Sequence, residues 1–306
     1  MTNEQHVDHV RRYYERNTAL FARFGSRTSA GSVHRALWTP GVRSIDEALR
    51  VSHRLVADEL HRTSNVARVV DFGCGVGGAL SDLQPHLHNG ALLVGLTLSR
   101  AQAQLAAHKT AGSAYIIEGN YLAAPIATAS CDFVYSIEAF AHAPDAGAYF
   151  SEAARLLRSG GRLVLIDDHV ARMTSCASEQ SLLEDFRAGW GVPSIASVEA
   201  LAAAAARHDL HLLRDADLTE WLRVRALPWR IVAVLLRRTR IWWRRDPVLS
   251  ATVGSIALQA LLARGVIRYR CLVFERATLL PSSNRSHQRA AVGDGTSPQL
   301  TGRGAD

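Results

Sequence analysis

The stretch from Val69 to Gly78 reads Val-Val-Asp-Phe-Gly-Cys-Gly-Val-Gly-Gly, an apolar run that ends on a carboxylate and passes into a glycine-rich turn. That order predicts a buried strand, a tight loop and the first turn of a helix, an arrangement that lets the backbone approach a nucleotide-type ligand closely. Gly73, Gly75 and Gly78 satisfy G-x-G-x-x-G spacing, which leaves NAD and S-adenosylmethionine both open. Asp71 discriminates between them. A carboxylate in front of the loop repels a pyrophosphate, whereas it favours the α-ammonium and sulfonium of S-adenosylmethionine. A glycine turn without a ligand is the plain alternative, but turn geometry alone does not call for this density of small residues.

The rest of the sequence frames that loop. Strands at 67–71, 91–96, 114–118, 131–137 and 161–167 alternate with helices at 76–87, 99–109 and 146–158, the pattern of a parallel, doubly wound sheet. Ahead of it, residues 4–24 carry helical periodicity with an aromatic face. Ser44-Ile-Asp-Glu47 has the form of a capping box for a helix reaching about His61. Gly160-Gly161 marks the start of the 161–167 strand. Beyond Asp168 we expect helices at 178–189 and 197–207, a strand near 210–215, a mainly helical stretch over 219–264 and a last alternating strand from Ile267 to Glu275. The expected division is an N-terminal helical cap over 1–66, a cofactor-binding core over 67–170, the second half of the same domain with a helical substrate-side insertion over 171–280, and a disordered tail over 281–306.

Composition adds exclusions. The apolar runs near Ile231 and Ile256 fall short of the roughly 20 residues needed to span a bilayer, and the polar N-terminus does not read as a signal peptide. Cys74, Cys131, Cys176 and Cys271 form no C-x-x-C pair, so reduced thiols, no metal and a cytoplasmic location are expected. The net charge of +7 is local: eight arginines and no acidic residue lie between Trp221 and Arg245, leaving −1 for the remainder. Lys109 is the only lysine, and a nucleic-acid partner is not expected. Ile231, Val234, Leu235, Ile241 and Trp242 recur at helical spacing among those arginines. Arg223 to Arg245 therefore reads as a basic amphipathic segment for peripheral membrane or diphosphate contact, or as a solvated helical face.

The order of motifs over residues 67–168 resembles the class I S-adenosylmethionine-dependent methyltransferases. The resemblance implies a Rossmann-like α/β fold, mainly parallel and seven-stranded with an antiparallel last strand, plus an N-terminal helical cap and inserted helices. It assigns Asp71, Gly73 and Gly75 to the methionine end of the cofactor. The family's acid at the end of the second strand is missing from Gly95-Leu96-Thr97-Leu98-Ser99, where Thr97 and the following Gln102 stand instead. That phrase is similar to the sterol and cyclopropane-fatty-acid branches. Asn120 and Tyr121 fall where the family meets adenine. An asparagine amide can accept from the adenine amine and donate to a ring nitrogen, although a turn asparagine would look the same.

Tyr135-Ser-Ile-Glu138-Ala-Phe140-Ala-His142-Ala-Pro144-Asp145 resembles the sterol and isoprenoid (prenyl) C-methyltransferases, as do Tyr13-Tyr14-Glu15, Asn17-Thr18, Phe24-Gly25 and His34-Arg35 in the cap. The loop Ser-Val-His34-Arg35-Ala-Leu-Trp38 departs from the sterol pattern. The reaction implied is methylation of an alkene carbon of an apolar, isoprenoid-like substrate. Such a reaction leaves a carbocation, which aromatic faces stabilise by about 0.5 to 2 kcal/mol each. Tyr13, Tyr14, Phe21, Trp38, Phe140 and Trp190 are the candidates. Glu138 is the candidate base for the final proton loss, with His142 and Tyr14 beside it as catalytic candidates. Glu138 could equally be a helix-start acid, and His142 a structural residue bonded to Asp145. The rival readings are an O- or aromatic C-methyltransferase of a polyketide or quinone with His142 or His169 as base, a cyclopropane-fatty-acid-synthase-like lipid enzyme, an RNA methyltransferase, and a scaffold or cyclase without transfer activity. A homo-oligomer is left open.

Overall fold

The computed structural model describes residues 34–225, 228–243 and 246–278, together with eight positions between 5 and 15 that are helical. Its strands are β1 (Arg68–Phe72), β2 (Leu92–Thr97), β3 (Tyr115–Glu118), β4 (Cys131–Ile137), β5 (Leu157–Val170), β6 (Leu210–Asp217) and β7 (Ile267–Arg276). They form one sheet in the order β3-β2-β1-β4-β5-β7-β6. The first five pair in parallel, and β7 runs antiparallel between β5 and β6. The helices are α1 (Ile45–His61), α2 (Gly78–Leu83), α3 (Arg100–Thr110), α4 (Ala146–Leu156), α5 (Ala177–Trp190), α6 (Val198–Ala206), α7 (Trp229–Trp243) and α8 (Pro247–Ala263).

A sheet covered on both faces needs strands that are apolar on both sides, which is why β1 buries Val69 on one face and Val70 and Phe72 on the other. Phe72 packs with Tyr149, Phe150 and Leu201 of α4 and α6 on one face, while Val69 packs with Val56, Leu80 and Ala106 of α1 to α3 on the other. A third cluster joins α5, α7 and α8 beside the sheet. The backbone leaves β1 toward β2 on one side, and β4 lies on the other. The crevice at the ends of β1 and β4 is therefore the place where such sheets bind ligands.

Three local expectations shift. The helix after the glycine loop is short, because Pro85 supplies no N–H donor and the backbone passes into a 3₁₀ turn over Gln84–His86. Gly160 and Gly161 lie inside β5 rather than at its start. Gly160 has φ 74°, and the register against β4 shifts between Cys131 and Phe133, so the pair makes an irregularity within a longer strand. Ser44 Oγ does accept the Glu47 N–H at 3.1 Å, but the Glu47 carboxylate reaches back to the Arg43 N–H at 2.8 Å, one residue upstream of a standard capping box. The expected disordered tail, residues 16–33 of the N-terminal cap with Phe21, and Tyr13 lie outside the described residues.

Candidate functional site

Past Phe72 the backbone turns through Gly73 at φ 98° and Gly75 at φ 52°. A Cβ on Gly73 would stand 2.5 Å from that of Ala139, so the loop after β1 meets the loop after β4 only because position 73 is glycine. The Gly73 and Cys74 N–H groups donate to the Leu96 carbonyl at 3.1 and 2.8 Å, tying this loop to β2. Beside it opens a cavity of about 350 Å³. Asp71 lines the cavity, is 2% exposed and makes no ion pair among the described residues. Burial pushes its carboxyl up to about 7; the neighbouring Tyr135 hydroxyl opposes this, although it stops short of good hydrogen-bond geometry. A buried carboxylate without a counter-ion is costly until a cation arrives, and an α-ammonium supplies one.

Across the cavity the Thr97 hydroxyl donates to Gln102 Oε1 at 2.8 Å and accepts the Ser99 N–H at 3.3 Å. Thr97 is thus spent on orienting Gln102, whose amide N–H groups are left for a ligand hydroxyl. Asn120 Oδ1 accepts the Leu122 N–H at 2.9 Å and caps the turn Tyr121–Ala123. The backbone takes one lone pair of Oδ1, which leaves the second lone pair and the amide N–H groups for a ligand. Tyr121 stacks on Phe72 with centroids 5.3 Å apart, and its hydroxyl donates to the Ala139 carbonyl at 3.0 Å.

The opposite half of the cavity is organised around Glu138. Its backbone is left-handed at φ 54°, a conformation that costs a non-glycine residue about 1 to 3 kcal/mol and persists where surrounding contacts fix it. Those contacts are present. Glu138 Oε1 accepts the Arg35 backbone N–H at 2.8 Å, the Arg35 Nε–H at 3.1 Å and the Tyr269 hydroxyl at 2.8 Å. The two terminal nitrogens of Arg35 donate to both oxygens of Asp168 at 2.7 Å each, and the guanidinium lies 4.1 Å from the Tyr269 ring centroid. Burial pushes the Glu138 carboxyl upward, but Arg35, His34 and these hydrogen bonds together outweigh it and hold the group below the usual carboxylate range. Two carboxylates against one guanidinium leave this buried cluster with a net negative charge.

His34 also lines the cavity. Its Nδ1 is 3.1 Å from the Arg35 carbonyl, its Nε2 is 2.8 Å from Nε2 of His53, and His53 Nδ1 is 2.7 Å from Asp82. The carbonyl and the carboxylate only accept, so the Nδ1 of each ring is the donor in these contacts. Burial, then the neighbouring His53, pushes His34 down to about 4.

Tyr14 Oη and His142 Nε2 lie 2.8 Å apart, and both residues face the cavity. The expected His142–Asp145 bond is replaced by this one, because Asp145 caps α4 by accepting the Ala148 N–H at 2.8 Å. The turn carrying His142 is held by Asp167, which accepts the Ala141 N–H at 2.9 Å. Burial and the adjacent Asp168 charge push Asp167 up to about 7. Trp190 lines the cavity, with its indole N–H shared between the Ala251 carbonyl and Ser255 Oγ, each at 3.2 Å. Two expected aromatic walls are elsewhere. Phe140 turns into the core against Tyr149 at 4.8 Å, because the 3₁₀ turn directs it away from the crevice. Trp38 lies outside the cavity beneath the Arg223 guanidinium at 3.2 Å. His169 is buried away from the cavity, and both its ring nitrogens lack a partner among the described residues; burial pushes it down to about 3. It is not placed to act as a base. Arg35, Asp168, Tyr269 and the role of His34 were not read from the sequence, where only the His34-Arg35 pair in the cap gave a signal.

A doubly wound sheet with a glycine cradle and an isolated carboxylate at its crevice defines an α/β protein that binds a cationic nucleoside cofactor. Residues 70–165 match the methyltransferase domain family. The 24-methylenesterol C-methyltransferase 2 of Oryza sativa subsp. japonica is 30% identical over 254 residues, which cover 80% of this chain and 66% of that protein. Methyltransferase GfsG of Streptomyces halstedii is 30% identical over 222 residues, covering 69% of this chain and 76% of its own. The protein thus spans about two thirds of the length of the plant relative. A solved structure of geranyl diphosphate methyltransferase in complex with GPP and sinefungin shares the fold at a TM-score of 0.70 and 19% identity, covering 89% of this chain and 100% of that one. This chain belongs to the class I S-adenosylmethionine-dependent methyltransferases, with relatives among the sterol C-methyltransferases.

Proposed function

We propose that this protein methylates an alkene carbon of an isoprenoid or similarly apolar substrate, with Glu138 as the base that ends the reaction. The observation that carries the reading is a buried, ionised carboxylate fixed in a left-handed backbone on the cavity wall. Asp71, Gly73, Gly75, Gln102, Asn120 and Tyr121 hold S-adenosylmethionine, which supplies an electrophilic methyl group when bound. The remaining wall, from Trp190 to Val248 and Ala251 of α8, is largely apolar and suits a hydrocarbon tail.

A carbocation formed by alkene addition needs a negative field, aromatic faces and little water. The net charge of the Arg35, Glu138 and Asp168 cluster supplies the first, and Tyr14 and Trp190 the second. Glu138 is a weak base, unsuited to taking a proton from a hydroxyl near neutral pH. The C–H beside a carbocation is far more acidic than a carboxylic acid, so a weak base suffices there. The Tyr14–His142 pair supports a second reading, in which His142 removes a hydroxyl proton and an oxygen is methylated.

The test is to incubate the protein with labelled S-adenosylmethionine and a panel of sterols, prenylated aromatics and prenyl diphosphates, and to follow label into the organic extract. On the substrate so found, Glu138→Gln is expected to lower turnover by about 10² to 10⁴ while cofactor affinity persists. Near-native turnover in that variant, with activity abolished by His142→Ala, would replace alkene methylation by heteroatom methylation.

A further inference from the structure

Helix α7 presents apolar side chains on two sides. Ala233 and Leu236 are buried in the cluster shared with Val253 and Ala257 of α8. Ile231, Val234 and Leu235 instead face solvent, 60%, 46% and 56% exposed. Together with Arg238 they occupy i, i+3, i+4 and i+7, one continuous face of a helix. Ile231, Val234 and Leu235 of the apolar stripe legible in the sequence therefore lie on the outer face of the helix. Arg237 and Arg238 are exposed. The first turn of α8 adds Val248 and Leu249, 48% and 52% exposed, and Val248 also lines the cavity. Among the described residues no helix is long and apolar enough to cross a membrane.

We propose that the outer face of α7, with the first turn of α8, docks on an anionic lipid bilayer. Aliphatic side chains at the centre and arginines around them match the acyl boundary and the phosphates of such a surface. A second copy of this protein fits less well. Arg237 and Arg238 would meet the same pair across a two-fold interface, with no acidic residue over 221–245 to offset them. Because Val248 belongs both to the face and to the cavity wall, docking brings the cavity to a compartment in which apolar substrates are dissolved. That last consequence rests on the substrate class proposed above, whereas docking itself does not.

Sedimentation of the full-length protein with vesicles of phosphatidylcholine alone, and of phosphatidylcholine with one third phosphatidylserine, tests the docking. Binding to the anionic vesicles and little to the neutral ones is expected. Arg237→Gln with Arg238→Gln should weaken it about tenfold or more, with the difference shrinking at high salt. Ile231→Ser with Leu235→Ser should weaken it at low and high salt alike. Calorimetry with S-adenosylhomocysteine serves as the check on folding, and its affinity should not change in either variant. Absence of binding to anionic vesicles, or binding that both pairs of substitutions leave intact, overturns the proposal. So does a concentration-dependent dimer that the Ile231 and Leu235 substitutions abolish, which would make the face a contact between copies. None of these readouts involves methyl transfer, so failure here is separable from failure of the proposed reaction.

Discussion

Asp71 and Glu138 are buried carboxylates in one cavity with opposite electrostatic settings, and the setting assigns their work. Asp71 has no cation nearby and is pushed up to about 7, so it gains most from a ligand that brings one. Glu138 has Arg35 and is held ionised. Asp71→Asn is expected to weaken S-adenosylmethionine by about 1 to 3 kcal/mol, the scale of a lost charge-assisted hydrogen bond, as calorimetry would read. Arg35→Lys removes the paired contacts to Asp168 and the Nε–H contact to Glu138. It should lower kcat, shift the acidic limb of the pH–rate profile upward and leave S-adenosylhomocysteine affinity in place. An unchanged profile would mean that Arg35 does not set the state of Glu138. Asp71 was legible because its loop is contiguous in sequence. The Glu138 cluster was not, because Arg35 stands 103 residues from Glu138 and 133 from Asp168, and no local pattern encodes a pairing at that range.

Elements were legible where periodicity and punctuation agree, and less so where one residue type serves two ends. Glycine loop, alternation and last strand all survive folding with boundaries close to those expected. Phe140 and Trp38 did not follow, since aromatic identity says nothing about which side of a turn faces a crevice. In α7 Ile231, Val234 and Leu235 face outward, as a membrane-contacting or solvated segment requires, while the core side, Ala233 and Leu236, is set by packing on α8. The crossing of α5 and α8 had no sequence signal beyond two isolated glycines. A Cβ on Gly189 would lie 2.5 Å from the Ser250 carbonyl oxygen, and one on Gly254 would lie 2.5 Å from the Trp190 ring. Gly189→Ala should therefore push the helices apart and cost about 1 to 3 kcal/mol, read as a lower urea midpoint at unchanged slope. Trp190 adjoins that contact and lines the cavity, so substrate KM should rise more than cofactor Kd.

At the scale of the whole molecule the buried titratable groups work against one another, which leaves one of them visible. Asp71 and Asp167 have folded pKa values near 7, above their unfolded values, so the folded state binds more protons and stability falls as pH rises from about 4 to about 7. His34 and His169 are held neutral with values near 4 and 3, so the unfolded state binds more protons and stability rises over about 4 to 6.5. Burial raises Asp168 as well, so three carboxyls and two imidazoles oppose one another up to about pH 6.5, and a stability scan of the ligand-free protein reads only their difference. Cofactor binding acts at a single position, because a cation beside Asp71 favours its charged form and leaves the other groups where they were. Below about pH 7 binding must then release a proton. The affinity for S-adenosylhomocysteine should rise by up to about tenfold per pH unit toward neutrality and level off above it, with a calorimetric heat that depends on the ionisation enthalpy of the buffer. Asp71→Asn should abolish both the slope and the buffer dependence, and should make the ligand-free stability profile rise more, or fall less, with pH than that of the unaltered protein, since one of the opposing carboxyls is gone. A slope that persists in Asp71→Asn would move the cation-binding role to another residue of the cavity.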